Sequence, residues 1–497
     1  RIKRLARPPP ATILDAPVPL ETALHDRPAT PRPGLQPLAA VVLALVGVAL
    51  HAGRLTGPFT DGQTGNCGAM FAIFARNEYA LGGLLATHGV PIVNPVPPPS
   101  LAQAEFYTHH PPGLPWAVML AGRLPLAIET AGRLVALLAT LATALLVADL
   151  ASRLAGWRAA LAAGLFALAL PAGLHDGLLV NYETVALPGA LLLLRALLFD
   201  VGRPAVAGLL AALADWVALL PLLLCWRGSR RSRWLQAAGA AALVVALFGV
   251  VAREVAPSSA AETLAQARGS SLLAADFTWS AWAAAVADHV WTFYGLAACM
   301  ALAGLAVARL RGASRLTGVL LRLLAFGALN LVLFARHATG HEHYVLLLLP
   351  FVALGTATLL FPRDEAARPP AALGAVLAGA LLLLGGQQYR DEAPARAATG
   401  QAELADRFRA VSSDGEVYVR PTGASFVFLH RAERHVSPNP VDSPEAARTA
   451  AESYRERFDL GALPAFVVLA PGEPVPEWLA ALGSPEARDG FRFAPLR

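Results

Sequence analysis

Long apolar runs recur along the chain at 38–53, 134–148, 159–174, 182–198, 235–252, 291–308, 316–334, 344–361 and 371–386. A bilayer-spanning helix needs roughly 17–25 mainly apolar residues, and flanking polar residues complete the shorter runs. One further stretch, 204–226, has the length of a single span, but the charges around it argue otherwise. Lys and Arg collect in cytoplasmic loops. With the arm carrying Arg1, Lys3, Arg4 and Arg7 inside, Arg195 and Arg203 fall inside as well, and so should the cluster Arg227, Arg230, Arg231 and Arg233. A single crossing would strand one of these groups outside. The stretch therefore reads as a hairpin of two short helices turning near Asp215 and Trp216 at the outer face. The same parity makes 113–128 an extracytoplasmic, partly embedded helix. The pattern predicts a polytopic α-helical membrane protein with about eleven membrane segments, N-terminus cytoplasmic and C-terminus extracytoplasmic.

Two outer segments are long, 54–130 and 253–290, and long connections tend to carry function. The second holds Trp279, Trp282 and Trp291 on a helical-looking stretch, which suits the lipid–water interface. After 386 charges appear at regular intervals and apolar runs shorten. There 402–411, 443–458 and 476–482 read as helices, and 416–419, 425–429, 465–469 and 491–493 as strands. Three domains are expected: a disordered cytoplasmic arm at 1–35, a transmembrane catalytic domain at 36–386, and a small extracytoplasmic α/β domain at 387–497.

Composition sharpens this picture. Of 497 residues, 56% are hydrophobic and 15% charged, with a mean hydropathy of +0.51; soluble domains carry about 25% charged residues. Disordered, collagenous and disulfide-scaffold classes are excluded. A net charge of +5, from 40 basic and 35 acidic residues, is too thin an excess for a nucleic-acid binder. All the basic residues except Lys3 are arginine, and Ala, Leu and Gly abound, a bias of GC-rich bacterial genomes that fits a bacterial inner (plasma) membrane. Cys67, Cys225 and Cys299 lie far apart and give no disulfide or metal framework. The sequence has no phosphate-binding P-loop, dinucleotide fingerprint, zinc-protease helix or Gly-x-Ser-x-Gly elbow.

Ionisable residues beside a membrane are costly and mark functional positions. On this topology Asp61, Arg76, Glu78, His109, His110, His175, Asp176, Glu183, Asp215, Arg336, His341, Glu342 and His343 all collect on the outer side. Such a surface suits a reaction on a charged, lipid-anchored substrate. Bland roles stand beside each functional one: Asp215 as a helix cap, Arg76 as a snorkelling side chain, His110 as part of a proline-driven helix break.

The order of short motifs adds a resemblance. Phe59-Thr60-Asp61-Gly62-Gln63 follows the first span; Ala75-Arg76-Asn77 lies on the next helix. Phe106-Tyr107-Thr108-His109-His110-Pro111-Pro112 leads into the embedded helix and Gly132-Arg133-Leu134, and His343-Tyr344 precedes a span containing Pro350. Over about residues 36 to 360 this resembles GT-C glycosyltransferases of the protein O-mannosyltransferase and aminoarabinose transferase type (glycosyltransferase family 39-like). The resemblance implies transfer of a sugar from a polyprenyl-phosphate-linked donor to a cell-envelope acceptor (lipid, glycan or protein) at the extracytoplasmic face, with inversion. It makes Asp61 the catalytic carboxylate and His110 a shaper of the sugar pocket. A cation must then meet the leaving phosphate, and Arg336, His341 and His343 are the candidates, with Arg76 behind them. Many relatives carry a second acid directly after the first. Here that position is Gly62, so Glu78, Glu183 or Asp215 would supply it. No cofactor is implied, and a divalent metal is left open. The alternatives are a polymerase or ligase of lipid-linked glycans, and a transporter or flippase. The last would show internal repeats and mid-membrane polar residues on broken helices, and the sequence shows no repeat.

Overall fold

The computed structural model describes residues 35–257, 259–362, 371–396 and 398–496. The arm expected to be disordered at 1–35 lies outside them, apart from Leu35. The chain opens with α1 (Pro37–His51), then α2 (Gln63–Ala80) and the short α3 (Gly113–Ala121) of the first outer segment. Two long hydrophobic helices, α4 (Ile128–Ala155) and α7 (Tyr182–Phe199), flank α5 (Trp157–Ala169) and α6 (Pro171–Asp176). Pro171 separates the last two, since a proline inside a helix removes a hydrogen bond and clashes with the preceding turn.

The charge argument for 204–226 has a structural counterpart. Helix α8 (Pro204–Ala214) stops at Asp215, whose backbone is extended, and the chain resumes in a 3-10 turn and α9 (Leu220–Leu224). Next come α10 (Arg231–Val255), α11 (Ser259–Ser270), α12 (Trp279–Tyr294), α13 (Leu296–Leu310), α14 (Ser314–Leu333), α15 (Ala335–Gly340), α16 (Leu349–Leu360) and α17 (Ala371–Arg396). Among the described residues seven helices are long and apolar enough to cross a membrane, and the pair α12–α13, bent by 94° at Gly295, makes an eighth. Helices α5 and α8 are shorter apolar pieces. Trp279, Trp282 and Trp291 lie on α12, across the bend from the apolar α13.

Packing inside the bundle relies on small residues, as expected where lipid is as apolar as a helix side chain. A Cβ on Gly304 would sit 2.4 Å from the Gly355 carbonyl oxygen, so α13 and α16 touch backbone to backbone. Similarly, Gly208 lets α8 press on α10 at Ala237. Leu243 and Leu247 of α10 and Leu38 and Leu45 of α1 are exposed, forming the lipid-facing surface.

Beyond α17, which runs through position 386, lies the α/β domain. It comprises α18 (Gly400–Val411), β1 (Val417–Val419), α19 (Phe426–Ala432), β2 (His435–Val436), α20 (Pro444–Arg457), β3 (Ala465–Leu469), β4 (Glu486–Arg488) and β5 (Phe491–Leu496). The sheet order is β2-β1-β3-β5-β4, with β1 parallel to β2 and β3, and β5 antiparallel to β3 and β4. The run 425–429, expected as a strand, starts helix α19 instead. Ser425 caps it by accepting the Phe428 amide at 3.2 Å, and an apolar run this short fits either period. The expected helix at 476–482 is a 3-10 turn. Ile73 of α2 is fully buried in the outer domain's core with Phe408, Tyr418 and Phe428, and Val427 and Ala402 return the contact into the α2 cluster. The outer domain is thus packed onto α2.

Candidate functional site

The segment around Asp61 is laid directly on α2. A Cβ at Gly65 would meet the Thr60 carbonyl oxygen at 1.9 Å, and one at Gly68 would strike the Phe59 ring at 2.3 Å. Only glycine permits this approach. Asp61 then faces the outer domain: its amide donates to the Ala398 carbonyl at 2.8 Å, and its Oδ1 accepts the Gln401 amide at 2.9 Å. Thr399, at the N-cap of α18, donates its hydroxyl to Glu403 instead, so Asp61 caps α18 from another part of the chain. Nearby, Asn66 accepts the Phe426 amide at 2.7 Å. Arg76 donates to the carbonyls of Pro95 and His430 and pairs with Glu433 at 3.7 Å, holding the outer segment against the domain. Asn77 fastens the same segment through the carbonyls of Ile92 and Asn94. Both oxygens of the buried Glu78 lack a hydrogen-bond partner among the described residues, and burial pushes its carboxyl up to about 8.

Beside Asp61 opens a cavity of about 490 Å³, lined by Arg54, Thr60, Thr64, Arg133, His175 and Tyr389 among others. Arg54, at the outer end of α1, lies 5.1 Å from the Tyr389 ring centre and donates to His51 at 2.7 Å and to the Leu174 carbonyl at 2.5 Å. Arg133 donates to the carbonyls of Gly57 and Pro58 at 2.7 and 2.6 Å and stands over the Phe59 ring. Two guanidiniums at one mouth favour an anion there.

A second polar group lies beyond the first turn of α2. His110 Nδ1 is 3.2 Å from Asp215 Oδ1, and its ring stacks on Tyr182 at 4.1 Å, with Tyr107 stacked behind. Burial by itself lowers the His110 pKa, but the charge and hydrogen bond of Asp215 outweigh it, leaving the imidazole above its usual 6.5. Asp215 also accepts the Trp216 amide at 2.6 Å, and the Trp216 indole donates to the His109 carbonyl, so the α8–α9 break and the His-Pro-Pro segment fix each other. His343 Nε2 is 3.8 Å from Glu183 Oε1, and the His343 ring lies 5.7 Å from that of His341. His337 reaches the Tyr344 hydroxyl at 3.2 Å; burial pushes the His337 imidazole down to about 4 and lowers that of His341 too.

Of the eight residues singled out by sequence, the fold gathers His110, Asp215, Glu183, His341 and His343. Thr60 lines the cavity and Asp61 follows it with its carboxylate turned to the N-terminus of α18, Arg76 pairs with Glu433, and Arg336 pairs with Asp276 at 2.8 Å at an exposed position. Sequence reasoning missed Tyr107, Tyr182, Tyr344, His337, Arg54 and Tyr389. The first three were signalled by their places within or beside the His-Pro-Pro, Glu183 and His343 motifs. Arg54 closes the first span, and nothing in the sequence marks Tyr389. Among the described residues no three His, Cys, Asp or Glu side chains converge as metal ligands would.

No family model and no curated protein sequence matches the chain. Solved structures do. ArnT from Cupriavidus metallidurans in the apo state matches with a TM-score of 0.56 at 14% identity, over 92% of this chain and 97% of that one. The protein has the GT-C fold. ArnT from the same organism bound to undecaprenyl phosphate gives a TM-score of 0.55 at 14% identity, over 92% and 96% of the two chains. The archaeal oligosaccharyltransferase AglB from Archaeoglobus fulgidus, in complex with an inhibitory peptide and a dolichol-phosphate, gives 0.52 at 13% identity over 87% of this chain and 69% of that one. The GT-C architecture predicted from motif order is thus the architecture of the chain.

Proposed function

We propose that the protein is a glycosyltransferase that moves a hexosyl or pentosyl group from a polyprenyl-phosphate-linked donor to an envelope acceptor at the outer face of a bacterial inner membrane. The N-terminus is cytoplasmic and the C-terminal domain extracytoplasmic. The observation that carries this reading is the two-arginine cavity beside Asp61, in a fold shared with an ArnT structure that holds undecaprenyl phosphate.

The donor phosphate lies at the cavity mouth near Arg54 and Arg133, and the prenyl tail extends along the apolar helices. The acceptor oxygen attacks the anomeric carbon while Asp61 takes its proton through Oδ2, since Oδ1 is engaged by Gln401. The bond from the anomeric carbon to the phosphate oxygen breaks, its electron pair stays on that oxygen, and polyprenyl phosphate leaves, its charge met by the guanidiniums. His110, Asp215, Glu183 and His343 hold the sugar hydroxyls. A second reading has a specific support: His110 oriented by Asp215 has the geometry of a base with its orienting carboxylate.

The test incubates purified protein in nanodiscs with a panel of polyprenyl-phosphate sugars and follows free polyprenyl phosphate by mass spectrometry. Release from one donor by wild type, lost in Asp61→Asn, supports the reading. Loss in His110→Ala with Asp61→Asn unaffected moves the base to the dyad. No release from any donor, with envelope acceptors added, refutes the transferase.

A further inference from the structure

A cleft of about 700 Å³ opens away from the transfer site, between the outer domain and the first outer segment. One wall is a single face of α20. Ala446, Ala450, Ser453, Tyr454 and Arg457 follow one another at helical spacing, with Glu445 and Thr449 on the adjoining rim. The opposite wall is Val93, Pro95 and Glu105 of the first outer segment, and the loop 437–441 closes the end. Two bonds tie the walls together: Arg457 pairs with Glu105, and Gln103 donates to Asp459 at 3.1 Å.

Its chemistry is unlike that of the Arg54–Arg133 cavity. Ser437, Asn439, Ser443, Thr449 and Ser453 supply hydroxyl and amide groups, which both donate and accept. Among the described lining residues the one cation is Arg457, matched by Glu105, and Arg76 behind Tyr454 is paired with Glu433, so the cleft offers an anion no unpaired cation. At its base Tyr454 is 5% exposed, and its hydroxyl has no partner among the described residues, although buried hydroxyls are normally hydrogen-bonded. The rings of Phe426, Tyr454 and Phe458 also line the cleft, Tyr454 and Phe458 packed on each other at 4.6 Å. Edge strand β2 has only two residues, too few to template an added peptide strand.

We infer that this cleft binds a short neutral glycan, taking sugar hydroxyls on the Ser, Thr and Asn side chains and on Tyr454, and sugar faces on the aromatic rings. Its volume lies in the range of ligand pockets, roughly 300–1,000 Å³. Because the segment that carries Asp61 also forms one wall, a glycan held there keeps its chain tethered to the enzyme. That purpose rests on the transferase reading; the binding itself does not.

The experiment uses the full chain in detergent and saturation-transfer NMR with neutral trisaccharides of mannose, glucose and arabinose at millimolar concentration. Wild type and Asp61→Asn bind at least one of them alike, which separates this proposal from the fate of the transfer chemistry. Thr449→Trp, an exposed substitution that fills the cleft, removes the signal, and Tyr454→Phe weakens binding about two- to tenfold, the worth of one neutral hydrogen bond. No binding of any member by wild type overturns the inference, as does binding that survives Thr449→Trp. A Ser/Thr-rich peptide bound in place of the sugars and displaced by Thr449→Trp overturns the glycan assignment.

Discussion

On the proposed transferase reading Asp61 has two separable jobs, and two substitutions part them. As a cap it supplies an oxygen to the Gln401 amide at 2.9 Å; as a base it supplies a place for a proton. Asp61→Asn keeps an acceptor oxygen of the same reach. Asp and Asn cap helices about equally, so the expected loss of stability is only the helix-dipole share, about 0.3–1 kcal/mol. Asp61→Ala removes the acceptor as well and costs about 0.5–2 kcal/mol, in line with other lost caps. Their effects on transfer should be alike and large, about 10²–10⁴-fold, the range assigned to general acid–base catalysis. Release of polyprenyl phosphate by mass spectrometry gives the rate, and a denaturation midpoint on the same preparations gives the stability. The expected pattern is therefore two inactive variants, of which the alanine variant is the more destabilised. An Asn variant that turns over within a few-fold of wild type would refute the base assignment and leave Asp61 a capping residue.

Four further outcomes follow from the geometry. His110 titrates above 6.5 because of Asp215, so their interaction is fully present below pH 6.5 and is lost as the pH rises through that raised value. The midpoint difference between wild type and Asp215→Asn should shrink on going alkaline; a difference constant from pH 5 to 9 would contradict it (about that window,). Gly304→Val drives a side chain into the Gly355 carbonyl and should cost about 1–3 kcal/mol or more, while Gly249→Val, which meets nothing within 4 Å, leaves the midpoint unchanged. Arg133→Lys forfeits the paired bonds to Gly57 and Pro58, so hydrogen exchange at 55–61 should quicken and transfer slow, although the charge is kept. Ile73→Ala removes a fully buried contact to the outer-domain core at a cost of about 2–5 kcal/mol, read as faster proteolytic release of that domain.

The membrane architecture was legible because bilayer thickness and charge sidedness act on long stretches of sequence. At 204–226 the arginines on either side argued against one continuous span, and the helix does break at Asp215. The bend at Gly295 was not legible, since a run from 291 to 308 looks continuous and only the backbone shows the 94° turn. At the site, His110, Asp215, Glu183 and His343 come from four separate stretches of chain, and proximity among them depends on how α7, α8 and the 342–348 turn cross. Nor could the pattern foresee that Arg76 and Arg336 already hold partners, Glu433 and Asp276, brought in from 357 and 60 residues away. The strand expected at 425–429 failed for a local reason, because four apolar residues carry no period and Ser425 decided the matter.

The placement of the outer domain bears on why the Asp61 segment holds its shape. Residues 55–61 have no regular helix or strand of their own, yet on the proposed transferase reading they must hold the Asp61 carboxylate in place beside the cavity that Thr60 lines. Three parts of the chain restrain them. Arg133 takes the carbonyls of Gly57 and Pro58 from below, and Gly65 and Gly68 allow the segment to lie flat on α2. From above, Ala398 accepts the Asp61 amide and Gln401 donates to its carboxylate. The outer domain itself is held to the bundle by Ile73, by Asn66 against Phe426, and by Glu129 against His430 and Arg431 at 3.6 Å each. A reactive group needs this degree of fixation, since a displacement of about 1 Å can cost 10²-fold in rate. The C-terminal α/β domain is therefore a clamp on the loop that carries the acid, and the same clamp encloses the glycan-sized cleft on its far side.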